Sequence, residues 1–237
     1  MSKEKERLCI RVDKVYDWVT REIHKDFCFE GVEGLAKLGF TKGPHCDKDH
    51  NKYPGIDPCQ FFGPDATLEV KCFPTDAAGN KIDVDDIKVA QVGERQDVFV
   101  EEVDTTLQLV RLKTTGYFVV QVTGIDCGKV LGTLTSQPIS FCIIDKYLLC
   151  APEGTEINAH VYYFECEGTL SCEDGEFEQL ALTLLLCQSV QVEAEVKVEV
   201  EGRICKPREE IIAPISVCPD ITFPPQCPEI FPPSHKC

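Results

Sequence analysis

The sequence has no apolar run of the roughly 18 residues that a membrane-spanning helix needs, no cluster of Lys and Arg longer than two residues, and no cysteine pair spaced C-x-x-C. Each absence excludes something. The longest apolar candidates, residues 141–149 and 180–187, are too short for a bilayer, so no membrane span is expected. Without basic clusters, and with a formal charge of −16 and a sequence pI near 4.7, the surface repels phosphate backbones, so nucleic acid is not an expected partner. Without C-x-x-C pairs, the close thiolates on which tetrahedral structural zinc usually relies are missing. GxxxxGK[ST] is absent too, as is any Gly-rich turn joining a strand to a helix, which leaves nucleotide chemistry without a foothold.

Catalytic constellations are equally scarce. With five histidines in the chain, the best arrangement is His45 beside Cys46, with His50 and Cys59 beyond. Adjacency in sequence does not aim an imidazole at a thiol, so a cysteine hydrolase is set aside. Asp83, Asp85 and Asp86 lack the DxDxDG spacing of a calcium loop and read as a solvated edge. No enzymatic activity and no catalytic residue are expected. Residues 1–7 are polar, and Arg11, Asp13 and Lys14 interrupt the apolar residues that follow. No signal-peptide core results, and the expectation is a chain made in, and first retained by, the cytosol.

What is present in excess is cysteine. Fifteen are dispersed through 237 residues, a length sufficient for a real hydrophobic core, and 43% of the chain is apolar. An odd number leaves at least one thiol free or paired between molecules. Ordinary cytosol keeps thiols reduced, so cysteine wealth without an export signal requires an explanation: bound metal, a thermophilic host, or later exposure to oxidising surroundings.

Alternation supplies the fold class. Residues 8–12 read as a short strand, and Val15, Trp18, Val19 and Ile23 fall at near-helical spacing, predicting a short helix with Trp18 as a core anchor. Glycine and proline punctuate 27–64, predicting a loop-rich, cysteine-containing region. Residues 66–73, with Leu68, Val70 and Cys72 on one face, and 82–92 read as a β-hairpin. Further strands are predicted at 97–103, 106–114, 117–123, 140–149, 158–165 and 177–187. In 189–201 valine and alanine alternate strictly with polar and mostly charged residues, predicting a long strand with one apolar and one charged face. After Cys205, eight of the fifteen prolines crowd the tail, predicting an extended arm. The expected architecture is mainly β: a sandwich-like or jelly-roll-like body over 65–205, as one unit or two subdomains, an N-terminal arm, short helix and loop-rich cysteine region over 1–64, and a Pro/Cys-rich arm over 206–237.

Cysteines set singly in different elements suit cross-links between strands or chains, and Cys9, Cys28, Cys205, Cys218, Cys227 and Cys237 are the cross-linking candidates. No cofactor is expected. The chemical rival is a zinc-stapled module using His45, Cys46, His50 and Cys59. A second rival is a displayed β domain that binds a ligand or adheres to a surface, although one Trp and six Tyr scattered singly mark no aromatic site. The opening Cys9-Ile10-Arg11-Val12-Asp13-Lys14-Val15-Tyr16-Asp17-Trp18-Val19 resembles the start of cysteine-rich structural proteins of endospore surface layers from spore-forming Firmicutes. The remainder matches these in character: dispersed cysteines, a β-rich body and a Pro/Cys tail. The resemblance implies a mother-cell protein deposited on the spore, in coat, exosporium or appendage. There it would assemble with itself and with other spore-surface proteins into a disulfide-cross-linked layer or fibre.

Overall fold

The computed structural model describes residues 6–42 and 55–202. Its body is built from antiparallel sheets packed face to face, a sandwich-like architecture. In the first sheet, β10 (Glu176–Gly202) runs between β1 (Glu6–Glu30) and β9 (Glu156–Glu173). The second is organised around one long strand, β6 (Thr105–Asp126). Along one edge of β6 lie β3 (Thr67–Thr75), β4 (Lys88–Gln91) and β5 (Gln96–Val100) in succession. Along the other edge lie β7 (Lys129–Thr135) and β8 (Ile139–Leu149), and β2 (Thr41–Lys42) adds to β7.

Period two explains the main packing. Leu180, Leu182, Leu184, Leu186, Val190 and Val192 occupy alternate positions of β10 and are all buried. They meet Phe118, Val120 and Val122 of β6 in one core cluster and Val110, Leu112 and Leu149 in a second. Burying a side chain of this size stabilises the fold by about 1.5–3 kcal/mol relative to exposure. Between the clusters lies a buried polar bridge: the Tyr147 hydroxyl donates to Gln188 Oε1 at 2.6 Å, and Gln188 Nε2 donates to Thr114 Oγ1 at 3.3 Å. Gln188 and Tyr147 are 0% and 1% exposed, so this pairing is what makes a polar group tolerable there.

The predicted helix over 15–23 is instead part of β1. A bulge lies at Tyr16, between the paired positions Val15 and Asp17, and shifts the phase of the strand by one residue. Upstream, even-numbered Ile10 and Val12 stand opposite Val198 and Val196; downstream, odd-numbered Asp17, Val19, Ile23 and Phe27 stand opposite Val192, Val190, Leu186 and Leu182. The phase change mimics helical spacing. It also turns Trp18 to the outer face, where it is half-buried and its Nε1 donates to Ser189 Oγ at 2.8 Å, so it is not the core anchor expected. Asp17 takes the inward position and is 1% exposed; its carboxylate accepts the amides of Trp18 and Cys150, each at 2.8 Å.

Four further expectations change. The division at residue 64 is no structural boundary, since β1 pairs with β10 along its whole length. Within the supposed loop region, 31–38 form a helix, α1 (Gly31–Leu38), and 58–62 a short second one, α2 (Pro58–Phe62). Gly31 and Gly39 adopt left-handed φ at the two ends of α1, so these glycines start and stop a helix rather than replace it. The strands at 66–73 and 82–92 do not form a hairpin with each other beyond one bridge, Thr75 to Lys81; both pair with β6. The strands predicted at 106–114 and 117–123 are one, because Gly116 does not mark a turn. It leaves room for the Phe141 ring, which a Cβ there would approach to 2.8 Å. The long strand at 189–201 is the distal half of β10, and its predicted extended-arm neighbour, 206–237, lies outside the described residues.

Candidate assembly surface

On one flank of the sandwich β9 lies over β3, and two disulfides close it. Cys72 of β3 joins Cys166 of β9, and Cys59 of α2 joins Cys172 near the end of β9. The inward alternation of Leu68, Val70 and Cys72 delivers the first thiol to the interface. The second is positioned by Asp57, whose carboxylate caps α2 by accepting the Cys59 amide at 2.8 Å and also accepts the Phe177 amide at 2.9 Å. Between the two links Gly168 lets the sheets approach; a Cβ there would lie 2.8 Å from Val70 and 2.4 Å from Leu182.

The opposite flank, where β1 lies over β8, carries no disulfide among the described residues. Hydrogen bonds hold it: Arg21 donates to the Lys146 carbonyl at 2.7 Å and stacks 3.9 Å from the Tyr147 ring centre, beside the Asp17–Cys150 contact. Burial raises the Tyr147 phenol to about 12, against the lowering influence of Arg21. Among the described residues, β1 (25 residues) receives backbone hydrogen bonds from a neighbouring strand only along its β10 edge, and no described strand pairs with its outer edge, where the Trp18 amide is taken by the Asp17 carboxylate.

Six thiols are free among the described residues, and Cys9, Cys28, Cys127 and Cys142 of these are exposed. Cys9 and Cys28 both belong to the open strand, and the bulge at Tyr16 puts both on its outer face. Cys28 donates to Glu30 Oε1 at 3.4 Å and accepts from Gln179 Nε2 at 3.2 Å. Desolvation, followed by the Glu30 carboxylate, raises the Cys28 thiol above its ordinary pKa. Cys127 caps the β6–β7 turn with a left-handed φ of 48°. Of the other cross-linking candidates, Cys205, Cys218, Cys227 and Cys237 lie outside the described residues.

At the end remote from the disulfides the first sheet outruns the second. β9 pairs with β10 only as far as Glu193, so 6–14 of β1 and 194–202 of β10 form a two-stranded ribbon. Its inner face carries Ile10, Val12, Val196 and Val198, of which Ile10 is 39% and Val198 37% exposed. Its outer face is charged, and Arg11 pairs there with Glu195.

The zinc set is not assembled as expected. Cys59 is consumed in a disulfide and has no thiolate to give; His45, Cys46 and His50 lie outside the described residues. A cavity of about 740 Å³ opens where β3 and β4 part along β6. Ile87, Gly116 and Phe141 form its floor, Lys88, Lys113 and Asp86 its rim, and Cys142 lines it. Thr75, 2% exposed, also lines it with a hydroxyl that has no hydrogen-bond partner. No signal in the sequence marked this cavity, because its residues come from four separate strands and a loop.

No helix among the described residues is long and apolar enough to cross a membrane. Comparison with family models, with curated proteins and with solved structures gives no match to this chain.

Proposed function

We propose that this protein is a non-enzymatic structural subunit that assembles with itself, and with other spore-surface proteins, into a disulfide-cross-linked layer or fibre on the endospore. The observation that carries the reading is the contrast between the flanks: internal disulfides tie one, while the other presents an edge strand with two exposed thiols and, among the described residues, no strand paired to its outer edge. An open edge of this length recruits a strand, and exposed thiols fix covalently what the strand recruits. Synthesis in the mother cell and oxidation after its lysis would bring a cysteine-rich chain from a reducing cytosol into surroundings where disulfides persist.

Electron microscopy of the purified chain, beside reducing and non-reducing gels and with Cys9→Ser and Cys237→Ser variants, tests it. Filaments or sheets with reduction-sensitive oligomers are expected, and labelled antibody should decorate the spore surface. A monomer indifferent to oxidant sinks the reading. The cavity supports a second one, a displayed domain that binds an amphipathic anion, with the apolar part on Ile87 and Phe141 and the charge at Lys88 and Lys113. Calorimetric titration with a medium-chain carboxylate, repeated on Lys113→Glu, separates it from the first; absence of heat in both chains removes it.

A further inference from the structure

We infer that two copies of this chain pair through their β1 edges about a twofold axis, in one register, and that Cys9 of each copy forms a disulfide with Cys28 of the other. The inference rests on the assembly reading above and names the surface and the partner residues. It starts from the two outer-face thiols of the open strand. They are 19 residues apart, and at about 3.3 Å per residue they stand about 60 Å apart along it. They cannot meet within one chain.

Antiparallel pairing of two β1 strands fixes what faces what. With Cys9 opposite Cys28 of the second copy, Arg11 falls opposite Asp26 and Asp13 opposite His24, all on the exposed outer face. On the inner face Ile10 falls opposite Phe27. Each strand passes its own bulge at Tyr16 once, so inner faces inner throughout, and the axis runs through Val19. No like charges oppose. A slip of two residues in either direction sets Asp13 opposite Glu22 or opposite Asp26, two carboxylates face to face. A slip of one turns every side chain to the wrong face. Charge and alternation therefore select the register that aligns the thiols.

β9, the other edge of the first sheet, is a poorer candidate. Its disulfides and the close approach of Gly168 to Val70 press it onto β3. The β1 pair also places the ribbon of each copy alongside residues 23–30 of the other, a two-stranded projection thereby joining a wider sheet.

Each link forms by thiol–disulfide exchange with a small disulfide oxidant. The Cys9 thiolate attacks the oxidant, forming a mixed disulfide and releasing one small thiolate. The Cys28 thiolate of the second copy then attacks the Cys9 sulfur and releases the other. Both protein thiols lose their protons to solvent, and the oxidant is reduced by two electrons to two thiols.

The test oxidises the full chain with oxidised glutathione and maps the links by mass spectrometry of unreduced peptides. A covalent dimer whose Cys9 and Cys28 peptides are joined is expected. Cys9→Ser alone and Cys28→Ser alone should each lose that link, and an equimolar mixture of the two variants should regain one such link per dimer. In reducing buffer, sedimentation should show roughly tenfold weaker self-association for Arg11→Glu, restored when Asp26→Arg is added. Filaments in which Cys9 joins a different cysteine, or a mixture that regains no link, overturn the β1 pairing while leaving assembly standing. A chain that stays monomeric under oxidant, in the gel and in the microscope, overturns both.

Discussion

Along one flank of this sandwich the sheets are joined by covalent bonds, along the other by hydrogen bonds to a strand whose outer edge is open among the described residues. Cys72–Cys166 and Cys59–Cys172 hold β9 to its neighbours, and Gly168 brings the sheets close between them. β1 is held over β8 by Asp17 and Arg21, next to the Tyr147–Gln188 bridge from β8 to β10, and its thiols point outward. The difference teaches that cysteine does two jobs in one chain. Inward thiols at facing positions close the body, and outward thiols on an edge stay available. For a cysteine in a strand the parity of its position decides the job; Cys59, on α2, is instead aimed inward by the Asp57 cap.

The largest effect that can break this comparison is loss of the covalent flank. The disulfides span 113 and 94 residues, and replacing either pair by serine is expected to cost up to about 5 kcal/mol by the chain-entropy argument. Guanidinium unfolding with and without reductant measures it. Amide exchange should rise along β9 and change little along β1. Equal loss of protection on both flanks contradicts the division of labour.

Tyr147→Phe attacks the hydrogen-bonded flank and leaves the buried Gln188 Oε1 without its donor, an expected loss of about 2 kcal/mol. The same tyrosine gives this flank an alkaline limit. Its phenol is held up to about 12 when folded, against about 10 when unfolded. The neutral form is thus favoured by folding, and the stability it confers is complete below about pH 10 and is lost as pH rises through about 12. Circular dichroism followed from pH 9 upward should show a smaller alkaline loss in Tyr147→Phe than in the native chain.

Gly168→Ala presses a methyl group against Val70 and Leu182 side-chain ends, which can shift, so a loss of about 1 kcal/mol in thermal unfolding is expected. The smallest effect concerns reactivity alone. Glu30→Gln removes the carboxylate that raises the Cys28 thiol, and alkylation of Cys28 near pH 8 should run roughly two- to threefold faster with stability unchanged. An unchanged rate would mean that Glu30 does not govern this thiol.

The β character of the body and most of its later strands were legible because they are half-buried and alternate cleanly, as in 140–149 and 189–201. The first sixty residues were not. At Tyr16 a single unpaired residue turned two short alternating runs into an apparent helical stripe. In α1 the glycines that define its ends, and Gly34, whose absent Cβ admits the Phe29 backbone, read as loop. The outward thiols were named as candidates at Cys9 and Cys28, but the inward pairings were invisible, since register between strands some 100 residues apart is set by the whole core. The cavity between β3 and β4 left no local trace for the same reason.

The bulge at Tyr16 has a bearing on how this chain can change length. On either side of it β1 has two faces with opposite obligations, apolar toward the sandwich and polar toward solvent. Removing one residue from the ribbon would exchange them, carrying Cys9, Arg11 and Asp13 inward and Ile10 and Val12 outward. Lengthening or shortening that keeps the faces in place must therefore proceed two residues at a time. The reach of the ribbon beyond the body is quantised, in steps of about 7 Å.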